Sequence, residues 1–161
     1  HDRPRQANER SRTGDWEGDT IFGGTGKGVL VTLVDRYSRL LVAGISKTHS
    51  SAEVSRVMNE SLRSLPVETI TLDNGSEFAL YKTTEKALNT TVYFADPHSP
   101  WQRGSNENLN GALRFFFPRG TNFHATDPEY VSYVLELLNN RPRKCLGWLS
   151  PFEVFSHACC T

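Results

Sequence analysis

The sequence predicts an α/β protein built on one five-stranded mixed sheet, strands 1–3 antiparallel and strands 4 and 5 parallel, flanked by helices. Three observations carry this. Three apolar, β-branched runs lie close together within residues 15–45, joined by short turns. Helical and strand patterns then alternate up to about residue 95. Two helical patterns close the order, and a meander followed by alternating elements implies a single sheet with helices on its faces.

Residues 1–14 read as a linker. Arg3, Arg5, Arg10 and Arg12 are offset by Asp2, Glu9 and Asp15, with no apolar period. Both a solvated tether and an arm lying along phosphate backbone fit that composition. From Asp15 to Phe22 acidic or apolar residues alternate with Trp16, Gly18, Thr20 and Phe22, which suits a short strand. The glycine-rich segment 23–28 lacks the glycine and hydroxyl positions of a phosphate-binding loop, so it reads as a turn between antiparallel strands. Residues 29–35 form a continuous β-branched run, as in a strand buried on both faces. Asp35 then starts a polar turn, and residues 40–45 give a third strand.

Ser50 with Glu53 makes a capping box ahead of a stripe of Val54, Val57, Met58, Leu62 and Leu65, stopped by Pro66. Residues 68–72 read as a buried strand ending at Asp73-Asn74-Gly75, residues 81–88 as a short helix, and residues 91–95 as the fifth strand. Residues 96–104 form a loop. Residues 106–116 read as a helix closed by Pro118. Asp127-Pro128-Glu129 opens the last helix, with Asp as cap and Pro at the first position. The folded core is expected over 15–157, with 158–161 as a tail.

The 161 residues are 37% apolar and 22% charged, which is globular composition for one domain. No apolar run is long enough to cross a membrane, and no secretory signal opens the chain. It begins with His rather than Met, and reads as a piece of a longer protein. Eighteen basic and eighteen acidic residues cancel, which argues against a dedicated non-specific nucleic-acid binder but not against an enzyme with local basic patches. Cys145, Cys159 and Cys160 have neither disulfide-framework nor zinc spacing, so reduced thiols and a cytoplasmic setting are expected.

Acidic residues stand out against their local patterns. Asp19 lies inside a strand, Asp73 at the C-terminal end of a buried strand, and Glu107 in the first turn of a helix. Taken singly, each has an ordinary explanation: an edge position, a turn former, a partner for the helix dipole. Together they are candidates to converge, and three like charges share a site only when divalent cations neutralise them. All-oxygen ligation suits Mg2+ or Mn2+.

The segments Trp16-Glu17-Gly18-Asp19-Thr20, Leu72-Asp73-Asn74-Gly75-Ser76-Glu77-Phe78 and Ser99-Pro100-Trp101-Gln102-Arg103-Gly104-Ser105-Asn106-Glu107-Asn108 resemble the catalytic core of retroviral-integrase-like transposases. The 33 residues between Asp73 and Glu107 match the spacing such cores use. The segment 100–108, with Leu138-Asn139-Asn140-Arg141-Pro142-Arg143-Lys144, is similar to the bacterial insertion-sequence family numbered thirty. The resemblance covers about residues 14–155. It implies a ribonuclease-H-like fold and an acidic DDE triad of Asp19, Asp73 and Glu107 holding two metal ions, Mg2+ or Mn2+. The implied chemistry is hydrolysis at transposon DNA ends, then transfer of the 3′-hydroxyl into target DNA. It further implies a homodimer or higher oligomer, and a missing N-terminal DNA-binding region ahead of residue 15.

Around the triad, Asn110 and Arg114 share the polar face of the Glu107 helix and are expected to grip DNA phosphates, a Glu107–Arg114 pair on a solvated face being the alternative. Trp101 and Arg103 on the preceding loop are expected at DNA, Trp101 either stacking on an unpaired base or plugging the core edge. Arg141, Arg143 and Lys144 form the densest basic cluster, either a backbone-contacting patch or a complement to a helix C-terminus. Glu77 reads as a helix-start residue, with indirect metal contact as the alternative. Two rival functions share much of this pattern: a nuclease that does not join strands, and an inactive DNA-binding or assembly module.

Overall fold

The computed structural model describes residues 3–160. Readings that touch His1, Asp2 and Thr161 lie outside the described residues. In chain order the elements are α1 (Arg5–Glu9), β1 (Asp15–Phe22), β2 (Val29–Asp35), β3 (Leu41–Ser46), α2 (Ser51–Leu62), β4 (Thr69–Leu72), α3 (Tyr81–Leu88), β5 (Thr91–Phe94), α4 (Gly104–Phe116), α5 (Pro128–Asn139) and α6 (Pro151–Cys159). Short 3₁₀ turns span Ser76–Phe78, Pro100–Arg103 and Lys144–Leu146.

The strands form one sheet in the order β3-β2-β1-β4-β5. β1 pairs antiparallel with β2 and parallel with β4, so the strand carrying Asp19 sits at the centre. β2–β3 is antiparallel and β4–β5 parallel, the expected mixed sheet. The glycine segment is a hairpin turn: Gly23 N donates to Gly28 O at 3.2 Å and Lys27 N to Gly24 O at 3.0 Å. Gly28 has φ +73, and a Cβ there would lie 2.8 Å from Ser46 O, so a glycine is required. The next turn is built by Asp35, whose buried carboxylate accepts from Ser38 N and Oγ and, across the sheet end, from Gly14 N.

Side-chain alternation along β1 divides the molecule. Trp16 faces a core with Leu33, Val57, Met58, Leu62, Ile70, Leu72 and Phe155, covered by α2, α3 and α6. Ile21 faces a second core with Leu30, Val34, Leu109, Leu113, Phe117, Val134 and Leu138, covered by α4 and α5. At the outer edge of β3, the Asn139 amide donates to Leu41 O at 2.8 Å and accepts from Leu41 N at 2.9 Å, so a side chain from α5 occupies edge groups that would otherwise be open to another strand.

Three expectations are corrected. Within the segment read as a linker, residues 5–9 are helical, Ala7 is fully buried, and Arg3 donates to Thr71 Oγ1 at 3.0 Å, so this stretch packs on the core rather than lying free in solvent. A helix absent from the sequence reading, α6, runs through residues 158 and 159, expected as tail. Ser150 and Glu153 form a reciprocal capping box with Pro151 at the first position, and Phe155 packs 6.2 Å from Trp16 between ring centroids. Conversely, the capping box expected at α2 is half formed. Ser50 accepts from Glu53 N, but the Glu53 carboxylate turns to Arg56.

Candidate active site

Strand register assembles the site. Glu17 on β1 pairs with Thr71 on β4, so two residues further along these parallel strands Asp19 comes beside Asp73, just past the end of β4. Asp19 is held by hydrogen bonds to both oxygens: Oδ1 accepts from Thr20 N and Oδ2 from the Asn110 side-chain amide of α4, each at 2.8 Å. Asp73 Oδ1 accepts from Gly75 N at 2.8 Å, so Asp73 both forms the turn and faces the site. Arg103, from the 3₁₀ turn before α4, spans the two carboxylates, 3.8 Å from Asp19 and 3.4 Å from Asp73, and donates to Gly18 O at 3.2 Å. Burial pushes the Asp19 carboxyl above its ordinary value; Asp73 adds to this, while Arg103, the Thr20 amide and Asn110 oppose it.

Glu107 lies on α4 one turn before Asn110, and faces solvent. Among the described residues no group of three His, Cys, Asp or Glu side chains is close enough to hold a metal ion together. The structure thus brings Asp19 and Asp73 together and sets Glu107 on the adjoining helix, short of a three-carboxylate cluster. One guanidinium offsets part of the charge of the pair in this arrangement. The donor set still fits a hard divalent cation: two adjacent carboxylates, a third on the helix that Asn110 ties to Asp19, and no sulfur or imidazole between them. Asn110 Oδ1 is a buried acceptor without a partner among the described residues, bordering Asp19.

Behind this pair lies a buried frame that the sequence reading missed. Asp15, Glu17 and Asp19 point to one face of β1, and each has its own arginine: Arg12, Arg36 and Arg103. Glu17 and Arg36 are paired, Glu17 Oε2 accepts from Asn106 N at 3.1 Å, and Arg36 donates to Ala7 O at 2.8 Å and Gln102 O at 2.9 Å. Alternation of acids with period two was the signal available for it. Glu77 is also nearer the site than a helix-start role implies: Thr20 Oγ1 donates to it at 3.1 Å, and His49 Nε2 lies 3.3 Å away.

The remaining candidates divide. Trp101 is 71% exposed and does not plug the core. Arg114 turns to the carbonyls of Phe117 and Phe22, at 3.5 and 3.3 Å, tying the end of α4 to β1, and makes no ion pair with Glu107. Arg143 donates to Leu138 O at 3.4 Å, complementing the end of α5, while Arg141 and Lys144 are exposed. Cys145, Cys159 and Cys160 are free and exposed. Among the described residues no helix is long and apolar enough to cross a membrane.

A mixed five-stranded sheet with one carboxylate inside its central strand and a second just past the end of the parallel strand beside it defines an integrase-type catalytic core of the ribonuclease-H-like class. The chain belongs to the integrase core domain family, whose profile matches residues 10–100. It is 38% identical over 159 residues to the transposase for insertion sequence element IS1086 of Cupriavidus metallidurans, covering 97% of this chain and 47% of that protein. It is likewise 38% identical over 157 residues to the transposase InsI for IS30A of Escherichia coli, covering 96% and 41%. The chain thus spans about half the length of the curated relatives it matches. Among solved structures, the catalytic core domain of BIV integrase superposes with a TM-score of 0.69 at 19% identity, over 91% of this chain and 96% of that one. A chain of the simian T-cell lymphotropic virus intasome gives 0.71 at 20% identity, over 89% and 54%. These structural likenesses establish the fold.

Proposed function

We propose that this chain is the catalytic domain of a transposase of the insertion-sequence family numbered thirty, acting on DNA with Asp19, Asp73 and Glu107 as its catalytic and metal-holding residues. Water cleaves a phosphodiester at the ends of the element and exposes a 3′-hydroxyl, which then attacks a phosphodiester of target DNA and displaces the 3′-oxygen of the target strand. The observation that carries this reading is the Asp19–Asp73 pair on adjacent parallel strands, spanned by one cation from the turn that leads into the Glu107 helix. Asp19, Asp73 and Glu107 would hold two Mg2+ or Mn2+ ions, which would supply Lewis acidity to the attacking and leaving oxygens.

The chain's own residues supply position. Asn110 orients Asp19, and the Glu17–Arg36 pair holds the first turn of α4 against β1, which fixes where Glu107 can swing. Arg103 contacts a scissile-strand phosphate once cations replace it at the carboxylates. Trp101, Arg141, Arg143 and Lys144 give DNA contacts around the site, while Asn110 and Arg114 serve through the positions they hold on α4. The names of the relatives support the transposase reading. In the whole protein the segment ahead of residue 15 leads from an N-terminal DNA-binding region, residues 15–157 act as the core, and the active form is a homodimer or higher oligomer in the bacterial cytoplasm.

The test is nicking and joining with Mn2+. Wild-type chain nicks DNA and, given a pre-cleaved 3′-hydroxyl end, joins it to a target duplex, while Asp73→Asn and Glu107→Gln do neither. Nicking without joining identifies a nuclease. Nicking retained in Asp73→Asn overturns the assignment of the site.

A further inference from the structure

Trp101 of the 3₁₀ turn also borders a cleft of about 440 Å3, within the range of small-molecule sites of about 300–1,000 Å3. Three arginines distant in sequence border it: Arg10 after α1, Arg39 from the β2–β3 turn, and Arg143 after α5. The indole of Trp101 forms part of its wall, and Ser105 and Asn108 of α4 part of its floor.

No carboxylate among the described residues sits in ion-pair contact with the arginines of this cleft, whereas Arg5, Arg12, Arg36, Arg56 and Arg103 all have one. Arg143 Nε is buried and lacks a partner, and Arg39 spends one nitrogen on Ser105 Oγ at 2.9 Å. Burial and the neighbouring guanidinia of Arg39 and Arg36 pull Arg10 below its ordinary value. Like charges gathered in a half-buried cleft repel one another unless an anion joins them. Guanidinium groups favour phosphate, with planar donors that match its oxygens.

Trp101 supplies the second half of the recognition. An exposed indole beside a cationic groove is a platform on which a base stacks, and stacking tolerates any base. It needs the base's face, which a duplex hides. The Pro100–Arg103 turn puts this platform and the cation that spans Asp19 and Asp73 on one short segment.

We propose that this cleft holds one unpaired nucleotide of the DNA strand end, its base on Trp101 and its phosphate between Arg10, Arg39 and Arg143. This rests on the DNA-cleaving reading above and deepens it. The chain then prefers ends whose bases are already splayed, and the cleft draws a strand end away from its complement beside the carboxylates.

The experiment compares fluorescence-anisotropy titrations of a labelled blunt DNA duplex and the same duplex bearing a short single-stranded 5′ extension. Wild-type chain binds the extended duplex more tightly, by about 5- to 150-fold, the range of one base stacked on an aromatic side chain. Trp101→Ala reduces that ratio to below twofold, and Trp101→Phe restores most of it. The double variant Arg10→Gln/Arg143→Gln lowers the salt dependence of binding to the extended duplex by about 2 in slope. A wild-type ratio near one, or a ratio that Trp101→Ala leaves intact, overturns the proposal. Nicking by wild type that Asp73→Asn abolishes, measured alongside, keeps the catalytic reading standing even if the cleft fails.

Discussion

Glu17 and Arg36 form an ion pair that solvent does not reach, with side chains 0% and 3% exposed. Through it the central strand, the N-terminal helix, the 3₁₀ turn and the start of α4 are tied at one point. Breaking a buried pair leaves one charge uncompensated, at about 3–5 kcal/mol. Glu17→Gln therefore lowers the urea midpoint by that equivalent, and Glu17→Leu combined with Arg36→Met recovers a substantial part of the loss. A double variant no more stable than Glu17→Gln would show that the hydrogen bonds to Ala7, Gln102 and Asn106 dominate.

Asn110 donates to Asp19 Oδ2 at 2.8 Å and so sets the direction of that carboxylate. Loss of a residue that orients a ligand lowers activity about 10- to 100-fold. Asn110→Ala should show this in kcat for Mn2+-dependent nicking rather than in KM for DNA, and Asn110→Asp should not rescue it, because a carboxylate cannot donate to Asp19. Equal losses in kcat and KM would assign Asn110 to DNA binding instead.

Arg103 competes with any cation for the same two carboxylates. Arg103→Gln tightens Mn2+ binding to the DNA-free chain by about tenfold, read by calorimetry, because the neighbouring positive charge is gone. The same variant weakens DNA binding and reduces its salt slope by about 1. Opposite signs in the two titrations are the signature; weaker Mn2+ binding would mean that Arg103 holds the carboxylates in place more than it shields them.

Stability carries a pH dependence from Asp35. Burial pushes its carboxyl up despite the hydrogen bonds from Ser38 and Gly14, so the native state binds the proton more tightly than the unfolded chain. The contribution of this group is therefore greatest below the unfolded value and falls as pH rises through the window above about pH 4. In Asp35→Asn that downward slope disappears from the urea midpoint measured across the window. An unchanged slope would place its origin elsewhere.

Ser150 caps the helix that closes the Trp16 face. Ser150→Ala costs about 1 kcal/mol in chemical denaturation. A loss well under half of that would mean that Phe155 packing alone holds α6.

Much of the fold was legible because its strands advertise themselves. Residues 15–22 and 29–35 alternate or run apolar without interruption, and Asp127-Pro128-Glu129 marks a helix start with three agreeing signals. The same signals stood at Ser150-Pro151 with Glu153, where few residues remain for a periodic stripe, and there the helix was missed. α1 was hidden for a different reason. Its burial comes from a single small residue, Ala7, and from arginines bonded to distant carbonyls, which no local period reveals. At the site, strand position indicated Asp19 and Asp73, and motif resemblance indicated Glu107. Arg103 bridging the carboxylates, and Arg114 turning to the carbonyls of Phe117 and Phe22, depend on side-chain directions set by packing three elements together.

Asp19 rides on a strand hydrogen-bonded on both edges, and Glu107 on a helix joined to that strand by a handful of side chains. Segments with unequal support open with unequal free energies. Amide exchange along β1 is therefore expected to report global unfolding, and exchange along α4 to report smaller openings, with Asn106 N, bonded to Glu17, the slowest of its first turn. Under the proposed assignment, bringing Glu107 to the Asp19–Asp73 pair is then a step separate from folding, which a bound strand would draw forward.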